Sequence, residues 1–152
     1  MLSKEALDHL LKQLGGEEAY KEFPYDDATG EEVRAPKGNL TVGVGFNLSS
    51  GCPRDLANII ATYFINKNDA QLARDLDFYD MLDEVRKCVI LDLSFNMGVH
   101  GVEAFKTTLN LISQGFYKNA AAQLRKSAWY SQVPRRAEPL CYMMETGNWT
   151  LV

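Results

Sequence analysis

The chain has 152 residues, 46% hydrophobic and 24% charged, a balance that fits one globular domain with its own core and excludes disordered and fibrous classes. Its formal charge of -4 argues against a nucleic-acid binder, because phosphate contacts need clustered Lys and Arg, and against capture of acidic polymers by bulk charge. The three cysteines, Cys52, Cys88 and Cys141, are odd in number, far apart and without CxxC spacing, which points to a reducing compartment and to small core residues rather than metal or redox ligands. Neither His9 nor His100 stands in a context that would pair it with a cysteine nucleophile.

Ser3 can cap a first helix in which Ala6, Leu7, Leu10, Leu11 and Leu14 recur at helical spacing, and Gly15-Gly16 supplies its stop. A short helical turn is expected over Glu17 to Phe23, ended by Pro24, which lacks an amide donor and biases Phe23 towards extended geometry. From Tyr25 to Leu48, short extended pieces alternate with the turn sequences Asp26-Asp27-Ala28-Thr29-Gly30 and Pro36-Lys37-Gly38-Asn39, which predicts a small antiparallel sheet of three strands. In its last strand, alternation puts Val42, Val44 and Phe46 on a buried face. Thr41, Gly43, Gly45 and Asn47 then form an opposite face where a ligand can approach the backbone.

After Gly51-Cys52-Pro53 the pattern is helical, with predicted helices over Arg54 to Ile65, Asp69 to Leu76 and Asp80 to Met97. The last aligns Val85, Val89, Leu93 and Asn96 on one face and is broken by Gly98 and Gly101. Further helices are expected at about Glu103 to Ile112, Tyr117 to Arg125 and Arg135 to Thr146, with Gly115 and Gly147 as stops. No repeat, linker or low-complexity tract divides the chain. The expectation is therefore a single α+β domain over 1–152, mostly helical, with a sheet lobe over about 17–50 and a helical lobe from 1–15 and 53–152.

Glu18 and Asp27 are the residues that invite a chemical reading. Hydrolysis of a glycosidic bond needs one carboxyl that gives a proton to the leaving oxygen and another that stabilises charge or activates water. Glu18 lies beside Ala19, Tyr20 and Phe23, where burial can keep an acid protonated, whereas Asp27 lies in a polar turn where it can stay ionised. Taken alone, Glu17, Glu18, Glu22, Asp26 and Asp27 read more readily as a solvated acidic face, because charge runs are usually surface.

Resemblance favours the chemical reading. Glu18, Tyr25 and Asp27, followed by a Gly turn and Thr41-Val42-Gly43-Val44-Gly45, resemble the catalytic signature of phage-type muramidases of the T-even coliphage lysozyme family. Ser94-Phe95-Asn96-Met97-Gly98 and Gly101-Val102-Glu103-Ala104-Phe105 are similar to that family's central helix and the turn after it. A third block, Ala120-Ala121-Ala122-Gln123-Leu124, Trp129-Tyr130-Ser131-Gln132, Pro134-Arg135-Arg136-Ala137 and Thr146-Gly147-Asn148-Trp149, continues the likeness in order almost to the C-terminus. The chain departs from compact members by an extra segment at roughly Glu31 to Asn39, by Phe46 where many relatives have histidine, and by a shorter stretch between Asn47 and Asp80.

The resemblance implies a lysozyme-like fold with a cleft between the lobes. It implies an enzyme that hydrolyses the β-1,4 bond between N-acetylmuramic acid and N-acetylglucosamine in peptidoglycan with inversion. Glu18 would be the general acid, Asp27 the carboxylate facing the reactive carbon and Thr41 the hydroxyl that positions the attacking water. Arg136 would orient Glu18, against the alternative of a surface cation. Asn96 and Gln132 would bond acetamido groups, against that of ordinary helix-end polar residues. Trp129 and Tyr130 read as core packing rather than sugar stacking. Gly43-Val44-Gly45 lacks the third glycine of a dinucleotide loop, and the Asp26 to Gly30 turn lacks alternating calcium ligands, so neither cofactor nor metal is expected.

Two other functions fit parts of the pattern. A lytic transglycosylase needs the acid but not an attacking water, and a wall-binding protein needs only the fold. The opening MLSKEALDHLLKQL is charged throughout and unlike a signal peptide, and no run approaches roughly 18 apolar residues. The expectation is a monomer made in a bacterial cytoplasm, without stable membrane association, that reaches the wall when a separate partner opens the membrane.

Overall fold

The computed structural model describes residues 1–15, 20–26, 28–33 and 38–150. Helix α1 (Lys4–Leu14) begins at its expected cap: extended Ser3 accepts the Ala6 N–H at 3.2 Å, and the Gly15 N–H closes the helix on the Leu11 carbonyl. The Ser3 amide and hydroxyl both donate to the carboxylate of Glu84, at 2.7 and 2.8 Å. The starts of two helices are thereby tied together, and the Glu84 carboxyl is held below its ordinary range by those bonds.

The expected helical turn over Glu17 to Phe23 is corrected where it can be seen, since Tyr20–Phe23 are irregular, with bends at Glu22 and Phe23, and not helical; residues 17–19 lie outside the described residues. The three-stranded sheet is also corrected. Among the described residues it has two short antiparallel strands, β1 (Thr41–Val42) and β2 (Phe46–Asn47), with Thr41 opposite Asn47 and Val42 opposite Phe46. An isolated bridge between Tyr25 and Glu32 is the remaining extended pairing described.

The physical reason lies in two glycines. Gly43 and Gly45 take φ of +60° and +102°, conformations open to glycine, and they fold the run expected as one strand into a hairpin. Val42, Val44 and Phe46 are consequently all exposed, Val44 completely, and the expected greasy face does not exist.

Asn47 accepts the Ser49 N–H at 2.9 Å and starts a 3-10 turn over Leu48–Ser50. Helix α2 (Arg54–Asp75) then runs for 22 residues, fusing two predicted helices. Asn66-Lys67-Asn68, where a break was expected, contains neither Gly nor Pro, and Asn68 donates to the Ser94 hydroxyl at 3.1 Å. Asp80 sits in a second 3-10 turn (Tyr79–Met81), and the N-cap of α3 (Glu84–Glu103) is Asp83, which accepts from Arg86 N–H. Gly98, at φ 77° and ψ 162°, breaks the helical run of α3 as expected, and a further helical stretch continues to Glu103 through Gly101, where a second break was expected.

Helices α4 (Lys106–Ser113), α5 (Tyr117–Arg125), α6 (Ala128–Gln132) and α7 (Pro134–Thr146) complete the helical lobe. α5 has its expected bounds, and α7 begins one residue earlier, with Pro134 in its first turn, where a missing amide is harmless. The short α6, capped by Ser127, was not anticipated.

Every residue from Cys88 to Ser94 is buried, so α3 is the axis of the core, covered on all sides. α1, α2 and α7 surround it, while α5 packs its Ala120, Ala121 and Leu124 into the same cluster as Leu140, Met143 and Met144 of α7. Cys88 and Cys141 are core residues, and burial pushes their thiols up to about 12 and about 11. Trp129 is buried as well, and Tyr130 packs against the core while its hydroxyl donates to Glu138 at 2.9 Å.

Candidate active site

Glu18 and Asp27 lie outside the described residues; their sequence neighbours show how the chain on either side is held. Before Glu18, the Gly15 carbonyl accepts from Arg54 Nη1 at 2.8 Å; after it, the same guanidinium lies 4.2 Å from the centre of the Tyr20 ring. The Tyr20 hydroxyl donates to the Cys52 carbonyl at 2.5 Å, and the Cys52 amide donates to the Glu22 carbonyl at 2.5 Å. Gly51 makes this approach feasible: at φ +86° it presses so closely that a Cβ would fall 2.9 Å from Glu22 Cγ. Four contacts thus fasten residues 15 and 20–22 to the start of α2.

The turn that begins at Asp26 is held by Asp26 itself. Asp26 Oδ1 accepts the amides of Ala28 and Thr29 at 2.8 and 3.2 Å, its carbonyl accepts the Gly30 amide at 2.7 Å, and its own amide donates to the Glu31 carbonyl. The Val33 amide donates to the Pro24 carbonyl at 2.8 Å, which closes the base of this loop.

Thr41 stands exposed on β1, with its hydroxyl donating to the Asn39 carbonyl at 3.4 Å. A pocket of about 210 Å³, which Thr41 does not line, is formed by Leu11 and Leu14 of α1, Tyr20 and Tyr25, Arg54 of α2 and Phe95 of α3. Arg54 and Lys21 are the charged groups among its described lining residues, a local positive edge on an acidic protein.

The remaining predicted residues lie on the helical lobe. Arg136 on α7 donates from Nε and Nη2 to Oδ1 of Asp92 at 3.0 and 2.7 Å, and Gln13 of α1 donates to the other carboxylate oxygen at 3.1 Å. Asp92 has no exposed surface, whereas the Arg136 side chain is one-third exposed. Burial pushes the Asp92 carboxyl above the ordinary range, opposed by the Arg136 charge and by the bonds from Arg136 and Gln13.

Asn96 lies one helical turn beyond Asp92 and is exposed. Gln132 is exposed at the end of α6, just ahead of the turn that leads into α7. The structure therefore pairs Arg136 with Asp92 and places Asn96 one turn further along α3; no hydrogen bond joins Gln132 or Thr41 to them among the described residues. Three supporting residues, Asp92, Arg54 and Gln13, were missed in the sequence. The signal for Asp92 was present: a lone acid within the apolar run Val89-Ile90-Leu91-Asp92-Leu93. An isolated charge in a buried helical run requires a partner.

No family model matches the chain. A protein named Probable T4-type lysozyme 1, from Dictyostelium discoideum, is 38% identical over 70 residues, covering 46% of this chain and 41% of that protein. The Peptidoglycan hydrolase gp36 of Pseudomonas phage phiKMV is 30% identical over 134 residues, 84% of this chain and 14% of that protein. The chain is phage lysozyme-like in sequence. The Pre-baseplate central spike protein Gp5 of Enterobacteria phage T4 adds 28% identity over 106 residues, 65% of the lysozyme-like chain and 18% of the spike protein. The lysozyme-like chain thus spans less than half the length of each of these relatives. Its mostly helical architecture with a small antiparallel hairpin agrees with a lysozyme-like fold.

Proposed function

We propose that the protein hydrolyses peptidoglycan as a muramidase, cleaving the β-1,4 bond between N-acetylmuramic acid and N-acetylglucosamine with inversion. The observation that carries this reading is the sequence likeness to proteins named as T4-type lysozymes and as a peptidoglycan hydrolase, one of which aligns with 84% of the chain. Glu18 gives its proton to the leaving oxygen, Asp27 faces the reactive carbon, and Thr41 orients the water. The glycan strand lies between the lobes, with Tyr20, Tyr25 and Phe95 offering apolar surface to the sugar rings.

Arg136 supports the reading as a cation with unspent donors. Two of its N–H groups are taken by Asp92, and the others have no partner among the described residues. Asn96 and Gln132, both exposed, supply hydrogen bonds to acetamido groups. The protein works as a monomer and reaches the wall through a separate membrane-permeabilising partner.

The test is the clearing of purified cell walls by the protein and by its Glu18→Gln and Asp27→Asn variants. Clearing by the parent alone is the expected result. Undiminished clearing by Asp27→Asn would contradict hydrolysis by this pair and favour a transglycosylase, and no clearing by the parent would leave a wall-binding protein.

A further inference from the structure

We infer that Asp92 is a positioning residue, whose task is to fix the guanidinium of Arg136 in the orientation that the reaction uses. The inference rests on the muramidase reading, in which Arg136 meets the acid or the substrate. An arginine on a helix surface ordinarily samples many rotamers, and its fork of donors binds well only when its plane is set. Here the plane is set from beneath. Nε and Nη2 converge on one oxygen of a carboxylate with no exposure, while Gln13 holds the other oxygen, so the guanidinium is anchored on its inner edge and offers its outer donors to solvent.

The burial of Asp92 is the part that packing alone does not explain. An apolar residue of similar volume would fill the centre of α3 without the desolvation cost of a carboxylate, and such replacements of buried ion pairs are often neutral or stabilising. The carboxylate also joins α1, which leads into the segment containing Glu18, to α7, which carries Arg136, through one residue of the central helix. A group whose bonds reach both the helix that bears Arg136 and the helix that precedes Glu18 in the chain is well placed to set their register.

The experiment is a double-mutant cycle on wall hydrolysis with Asp92→Asn, Arg136→Gln and the pair, read as kcat and KM separately, beside melting temperatures. If Asp92 acts through Arg136, Asp92→Asn lowers kcat/KM by roughly 10- to 100-fold, the scale of a misplaced group, and the double variant is no slower than Arg136→Gln. Its melting temperature is unchanged or higher, because Asn keeps an oxygen for the partly exposed guanidinium. A second readout needs no turnover: the Arg136 Nε–H resonance is protected from exchange in the parent and loses that protection in Asp92→Asn.

Multiplying effects in the double variant would overturn the inference, as would full activity in Asp92→Asn, parallel loss of melting temperature and activity, or an Nε–H protected equally in both proteins. Those outcomes presuppose a parent that cleaves walls. A parent without activity would instead overturn the muramidase reading, and this inference with it.

Discussion

At the scale of single residues, the buried carboxylate of Asp92 makes a claim about pH. Its pKa is raised by burial, so the folded state holds the proton more tightly than the unfolded chain does. The sign follows directly: the contribution of Asp92 to stability is fully present below the ordinary carboxylate value and is lost as pH rises through the raised one. Melting temperatures of the parent and Asp92→Asn from acid to neutral pH check this. The difference is expected to shift in favour of Asp92→Asn as pH rises, whereas a shift favouring the parent would mean that Arg136 and Gln13 outweigh burial. Asp92 was visible in the sequence as a lone acid in an apolar run, but its partners were not, since three helices far apart in the chain must meet before they are apparent. Arg54 was equally illegible, because its two partners, Gly15 and Tyr20, lie more than thirty residues upstream.

Among the elements, local chemistry decided most of what could be read. Ser3 and Gly15 marked the ends of α1, and Gly115 and Gly147 marked those of α4 and α7, because caps and stops act within one turn. Glycine's ambiguity accounts for the main errors. Gly43 and Gly45 were read as bare positions in a strand and are hairpin residues, whereas Gly98 interrupts its helical run as expected. The Gly98 conformation, φ 77° and ψ 162°, is one that side chains avoid, yet a Cβ there would meet no atom within 4 Å. Gly98→Ala is therefore expected to cost about 1–3 kcal/mol in backbone strain alone. Urea unfolding measures it, and a variant as stable as the parent would show that the bend relaxes into regular helix.

Over the whole molecule, the helical lobe forms a core around α3 while the hairpin region is mostly exposed. Composition and periodicity predicted the first, because a buried helical face repeats visibly in sequence. They misjudged the second, where few side chains are buried and glycine torsions decide the path. The cysteines report on this difference. Cys88 and Cys141, buried with raised pKa values, are expected to resist alkylation at neutral pH, and the partly exposed Cys52 to react. One thiol should therefore be modified in the native protein and three in denaturant; rapid modification of all three without denaturant would contradict the packing around α3.

The central claim is that a lysozyme-like chain uses Glu18 to hydrolyse the muramic acid linkage. Mass spectrometry of soluble fragments released from purified peptidoglycan, run beside the Glu18→Gln variant, tests it most directly. The predicted result is fragments ending in an ordinary reducing N-acetylmuramic acid, released by the parent and absent with the variant. Fragments ending in anhydro-muramic acid, or equal release by both proteins, would contradict it.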